Sequence, residues 1–137
     1  MDLNFTIEGG DFTRAGHASS EVKKILKQLD VDPVLIKRIV VAMYEAEVNI
    51  VAHAYRGDID VTIDIDKVVV RLSDEGPGIA DIGNAMKAGF STASQKVREM
   101  GFGAGMGLPN IKKNSDILDI KTEINKGTCL EITTFLK

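Results

Sequence analysis

The sequence predicts an α+β fold in which an antiparallel or mixed sheet is covered on one face by helices. Three observations predict it. Alternating apolar residues fall in paired segments, "DVTIDID" with "KVVVRLS" and "ILDIKTEI" with "TCLEITTFL", each pair joined by a short turn. Helical periodicity occupies much of the first half and a short stretch before the last pair. Strands and helices therefore come in blocks, without the strict β-α alternation of a doubly wound sheet.

Each element has its own signal. Residues 3–8, "LNFTIE", alternate Leu3, Phe5 and Ile7 with polar neighbours, the mark of a half-buried strand that Gly9 and Gly10 end. "TRAGHASSEVKKILKQL" carries Val22, Ile25, Leu26 and Leu29 at helical spacing. Asp32 followed by Pro33 reads as a helix cap with proline at the first helical position. The helix it opens runs to about His53, with Ile36, Ile39, Val40, Met43 and Ile50 as its apolar stripe. Val61, Ile63 and Ile65 form one face of the next strand, and Asp66 and Lys67 turn the chain into its hairpin partner. Leu118, Ile120, Thr122 and Ile124 share a face of the third hairpin strand. Asn125, Lys126 and Gly127 turn the chain towards Leu130, Ile132, Thr134 and Leu136.

Composition sets bounds. The chain of 137 residues suits one domain, residues 1–137, with a sizeable core. A net charge of −3 gives no electrostatic footprint for nucleic acid or an anionic membrane. One cysteine, Cys129, allows no intrachain disulfide and no CxxC metal site. No apolar run approaches the ~18 residues of a membrane span, and no signal peptide opens the chain, so a cytoplasmic location is expected.

Three stretches carry possible chemistry. In "YEAEVNIVAHAY", Glu45 and Asn49 are four residues apart and share a helical face, roughly opposite Met43. This is either a solvated face or a general base beside an Mg²⁺ ligand, since an amide oxygen is a hard donor suited to Mg²⁺. In "SDEGPGIADI", Asp74 follows a strand; it is either a loop aspartate or an acceptor for an exocyclic amine such as adenine N6. Gly76 and Gly78 would let the backbone approach a flat ring. In "GFGAGMGLPN", Gly101, Gly103, Gly105 and Gly107 alternate before a helix expected to begin near Gly107 to Pro109. Either this is a flexible loop into a helix, or its N–H groups and the helix dipole meet phosphate oxygens. It is not a P-loop, because no Gly-Lys-Ser/Thr follows, and no βαβ unit surrounds it.

In this order the three stretches resemble the ATP-binding domain shared by DNA gyrase, the heat-shock chaperone, histidine kinases and the mismatch-repair ATPase. Glu45-x-x-x-Asn49 matches that superfamily's N box, and Asp74-x-Gly76-x-Gly78-Ile79 matches its first glycine box. Gly101-x-Gly103-x-Gly105-x-Gly107-Leu108 matches the second box, and Gly127-Thr128 the glycine-threonine of the last hairpin. The likeness extends from Leu3 to Leu136. It implies a two-layer α/β sandwich, the Bergerat-type ATP-binding fold, with a mixed, mostly antiparallel sheet. At this length neither dimerisation helices before the domain nor a transducer domain after it is expected. The chain is therefore most similar to the bacterial anti-sigma regulatory factors and switch serine/threonine kinases, with "HAYRG" in the manner of the stressosome-type branch.

The resemblance implies ATP and Mg²⁺ as cofactors, and phosphorylation of a serine or threonine on a small antagonist-domain partner. It also implies, as further partners, a sigma factor or a phosphatase, and a homodimer. It makes Glu45 the catalytic base, Asn49 the metal ligand and Asp74 the adenine acceptor. Gly76, Gly78, Ile79, Gly101, Gly103, Ala104, Gly105, Met106, Gly107, Leu108 and Thr128 would line the nucleotide. A lid of about residues 91–105, mobile without nucleotide, would bring Lys96 or Arg98 to the γ-phosphate. Glu47 departs from the small or neutral residue usual inside the N box, and is expected to point away from the metal. A second reading is a nucleotide-gated binding module, an anti-sigma or partner-sequestering protein with little or no kinase activity. A third, an ATPase driving conformational work, would need a coupled domain.

Overall fold

A computed structural model describes residues 1–78 and 107–137. The expectations for Ile79, Lys96, Arg98, Gly101, Gly103, Ala104, Gly105, Met106 and the lid at 91–105 lie outside the described residues.

The element order is β1 (Asp2–Glu8), a 3-10 turn (Phe12–Arg14), α1 (His17–Gln28), α2 (Pro33–His53), β2 (Arg56–Ile63), β3 (Lys67–Glu75), α3 (Gly107–Lys113), β4 (Ile117–Glu123) and β5 (Gly127–Phe135). The strands form one sheet in the order β1-β2-β3-β5-β4. Every neighbouring pair among the described residues is antiparallel, so the parallel pairing that a mixed sheet allows is not seen there.

Period-two alternation sorts the faces. Ile59, Val61 and Ile63 of β2, Val68, Val70 and Leu72 of β3, and Leu130 and Ile132 of β5 point inward. They pack in one cluster with Val22 and Leu26 of α1, Ile36, Ile39, Met43 and Ile50 of α2, and Leu108 and Ile111 of α3. Each large apolar side chain so buried contributes about 1.5–3 kcal/mol. The opposite face is polar: Asn4 donates to Asp60 at 2.7 Å, and Arg71 to Glu131 at 2.8 Å. Exposed pairs of this kind add little stability, but they leave the sheet with one wet face, and the three described α-helices lie on the other.

Three local outcomes differ from the periodicity. The segment expected to be helical from about Thr13 divides at Gly16, whose φ is +92°; residues 12–14 form a 3-10 turn and α1 starts at His17. Leu29 follows the end of α1 and is exposed. Ile65 and Ile124 fall in turns beyond their strands and are also exposed, because β2 ends at Ile63 and β4 at Glu123. By contrast, α2 begins as its signal predicts: Asp32 Oδ1 accepts from Val34 N at 2.9 Å, with Pro33 in the first turn.

Candidate functional site

The long helix α2 lines the candidate site. Glu45, Asn49 and the C-cap residue Ala54 follow one another along it, and a rise of about 1.5 Å per residue spreads them over roughly 13 Å. That is the scale of a nucleotide with its phosphate chain.

At the Ala54 end, the close of β3 meets the β4–β5 turn. Asp74 Oδ1 accepts from Thr128 N at 3.0 Å. The Thr128 and Thr122 hydroxyls are 3.0 Å apart. Gly127 has φ +150°, and a Cβ there would strike the Asp74 carbonyl oxygen. Only glycine lets β5 start so close to Asp74. Gly76 N donates to Lys126 O at 3.2 Å, and Asn125 N donates to Pro77 O at 2.9 Å. The two loops are therefore stitched together around Asp74. A Cβ on Gly76 would lie 3.0 Å from Ala54 Cα and 3.4 Å from Asp74 Oδ1, so this glycine sits between the helix end and the carboxylate. Gly78 takes φ +77° against the Glu123 carbonyl. Burial pushes the Asp74 carboxyl above the ordinary range, and the Thr128 N–H partly offsets this.

At the other end, α2 meets the start of α3. A Cβ on Gly107 would lie 2.9 Å from both Asn49 Oδ1 and Nδ2, so the bare backbone of Gly107 lets α3 begin against that amide. Leu108 and Ile111 anchor α3 in the core. Glu45 is half-buried. Burial raises its carboxyl above the ordinary range, and a hydrogen bond with the Asn110 side chain lowers it in part. The sequence reading gave Asn110 no role. Its only signal was its place directly after Gly107, Leu108 and Pro109.

Glu47 points away from Glu45 and Asn49, as expected, but it is not solvated. It is fully buried and accepts from Gly16 N and Ala18 N through Oε2 and from Ser19 N through Oε1, each at 3.1 Å. It caps α1 from another helix.

The fold thus brings Asp74, Gly76, Gly78 and Thr128 together at one end of α2, and Glu45, Asn49, Gly107 and Leu108 at the other. Among the described residues, no donor other than Thr128 N takes the Asp74 carboxylate, and none of them reaches Oδ2. No group of three or more His, Cys, Asp or Glu among them could hold a metal ion. The lone amide oxygen of Asn49 fits Mg²⁺ carried in on phosphates rather than a cation held by protein alone. A separate cleft of about 270 Å³, lined by Thr6, Asp11, Arg14 and His17, lies between β1 and α1 and shares no residue with this set. None of the described helices is long and apolar enough to cross a membrane.

Comparison with known proteins bears on the family and the fold. The family model described as "Histidine kinase-like ATPase domain" matches residues 11–134. An anti-sigma F factor of Thermoanaerobacter sp. (strain X514) is 30% identical over 141 residues, covering 99% of this chain and 93% of the relative. The serine/threonine-protein kinase RsbT of Bacillus subtilis (strain 168) is 29% identical over 119 residues, 84% of each chain. Among solved structures, the SiaB-SiaC complex from Pseudomonas aeruginosa superposes with a TM-score of 0.66 over 96% of this chain and 88% of the other. At 14% identity this likeness is one of fold.

Proposed function

The chain belongs to the histidine kinase-like ATPase domain family, and on that basis we propose that it is an ATP-binding partner-switching kinase that phosphorylates a serine or threonine of a small antagonist-domain protein. The observation that carries this reading is the placement of Glu45. Its half-buried carboxylate, raised by desolvation, shares a helix face with Asn49 and adjoins the start of α3. A module that only sensed nucleotide would have no use for a desolvated carboxylate at that end of the cleft. The RsbT relative's printed name, a serine/threonine-protein kinase, points the same way.

In the proposed mechanism Asp74 Oδ2 accepts from the adenine amine while Thr128 N holds Oδ1 still. Gly127 lets β5 begin against the Asp74 backbone, and Gly76 lets its loop pass between Ala54 and the Asp74 carboxylate, so both help to set that carboxylate in place. Asn49 would offer its amide oxygen to Mg²⁺, and the metal would supply charge neutralisation on the phosphates. Glu45 accepts the proton of the partner's hydroxyl as that oxygen bonds to the γ-phosphorus and the bond to the β-phosphate oxygen breaks, giving ADP and phosphoprotein. The raised pKa of Glu45 moves it towards working pH, where a base is strongest while still ionised.

The printed name of the Thermoanaerobacter relative favours a second, compatible reading, in which nucleotide state sets which partner the protein holds. One experiment separates the two: ATP affinity by calorimetry and phosphotransfer to a purified antagonist-domain protein, for wild type and Glu45→Ala. The kinase reading expects affinity within a few-fold and a rate lower by ~10²–10⁴-fold. If both fall together, Glu45 is structural or a metal ligand. If neither changes, the protein is a nucleotide-gated binding module.

A further inference from the structure

We infer that Glu47 is a positioning residue that fixes the roll of α2, and with it the placement of Glu45 and Asn49; the inference rests on the kinase reading above. The proposal stands on geometry. Glu47 is fully buried, and among the described residues no ion pair involves it. Its two oxygens take three backbone N–H groups, those of Gly16, Ala18 and Ser19, each at 3.1 Å. The residue that should cap α1 is Gly16, which has no side chain and sits at φ +92°. The Tyr44 ring, one residue before Glu45, would lie 3.0 Å from a Cβ on Gly16. The first turn of α1 is therefore built onto α2 at the turn that carries the candidate base.

Helical geometry makes this a lever. Glu47 is two residues from Glu45 and two from Asn49, about 200° around the axis from each. One side of the turn is pinned to α1 by three hydrogen bonds. The other presents Glu45 to Asn110 and Asn49 to Gly107. Side-chain tips lie about 6 Å from a helix axis, so a roll of about 10° displaces them by about 1 Å. A misplacement of that size at a reacting group can cost ~10²-fold in rate. Glutamine at position 47 preserves volume but offers one acceptor oxygen and turns an NH₂ towards an N–H donor, so the clamp cannot be complete.

The test compares Glu47→Gln with Val22→Ala, a core change in α1 that leaves the clamp intact. Three quantities are read well below the melting temperature: single-turnover phosphotransfer at saturating ATP and Mg²⁺, ATP affinity without Mg²⁺, and the Asn49 side-chain amide resonance in the ¹⁵N spectrum. Expected for Glu47→Gln is a rate lower by roughly 10–100-fold, metal-free affinity within about threefold, and a shifted Asn49 resonance. Val22→Ala should lose stability while leaving rate and resonance near wild type. Should Glu47→Gln not fold, Glu47→Asp, one methylene short but still charged, carries the same comparison. If the Glu47 variant is no slower than Val22→Ala, or if rate and metal-free affinity fall in parallel, Glu47 is only a cap and the inference is overturned. If wild type itself transfers no phosphate, the kinase reading falls, and the Asn49 resonance alone decides the positioning claim.

Discussion

Replacing Asp74 with asparagine tests the proposed adenine contact with almost no change in shape. Asp74 Oδ1 is held by Thr128 N at 3.0 Å, so an asparagine would keep its carbonyl oxygen there and turn its NH₂ to where Oδ2 lies. The adenine amine would then face a donor instead of a carboxylate oxygen. The loss is one charge-assisted hydrogen bond, about 1.5–3 kcal/mol, or roughly 10- to 150-fold in affinity at about 1.4 kcal/mol per tenfold. The fold should gain slightly. Burial raises the Asp74 carboxyl, so the folded chain favours its protonated form. That contribution is full below the unfolded pKa and is lost as pH rises through the folded value. At pH 7 the ionised group therefore costs stability, and Asp74→Asn should raise the melting temperature of the nucleotide-free protein. Calorimetry with ATP and GTP, beside thermal melts, reads both effects. Wild type should bind ATP far more tightly than GTP, whose ring carbonyl would oppose the carboxylate. Equal ATP and GTP affinities in wild type, or an Asp74→Asn variant with unchanged ATP affinity, would refute the assignment.

Asn49→Ala should lose most of the Mg²⁺-dependent gain in ATP affinity while metal-free binding stays near wild type; titrations with and without Mg²⁺ check this. Gly127→Ala should lower the melting temperature by roughly 3–15 °C, because the new Cβ meets the Asp74 carbonyl oxygen at a φ of +150°, and ATP affinity should drop with it; an unchanged melt refutes the contact. His53, at the end of α2, has its pKa lowered from the ordinary 6.5 by burial, so the unfolded chain binds its proton first as pH falls. Its contribution is full above pH 6.5 and is lost as pH falls through the folded value, so His53→Gln should flatten the decline in stability on the acid side of pH 7, measured by urea titrations at several pH values.

What the sequence made legible was what neighbouring residues decide among themselves. Asp32 and Pro33 start α2 with a cap contained in three residues, and alternation marked both hairpins. Asn49 and Gly107 could each be singled out from motif spacing, although their contact joins two distant parts of the chain. The strand order was not legible, because β5 inserts between β3 and β4 and no local pattern encodes which edge a hairpin chooses. Nor was the division at Gly16. The helical period ran through it, and the cap that allows α1 to start at His17 comes from Glu47, about thirty residues on. A glutamate in an amphipathic helix is by default exposed. Only three N–H groups delivered by another element make its burial affordable.

Those N–H groups also separate the three carboxylates of this region by role. Glu47 has three backbone donors and no exposed surface; nothing is left for a ligand to gain, and its work is to hold α1 and α2 together. Asp74 has one backbone donor and Glu45 one side-chain partner, and burial raises both groups despite these bonds. Counting partners among the described residues, each is a desolvated acceptor with lone pairs still unused, a state that costs the fold free energy at neutral pH. A sequence selected for stability alone would have replaced both or finished pairing them. Their under-coordination is intelligible if a ligand completes it: an amine at Asp74, the proton of a partner hydroxyl at Glu45. The same criterion makes the two sites separable in experiment. Completing Asp74 should stabilise the nucleotide complex, whereas completing Glu45 happens only while a partner hydroxyl is in place. Nucleotide alone should therefore leave the Glu45 carboxyl raised, and an antagonist-domain protein lacking its acceptor hydroxyl should leave it so as well.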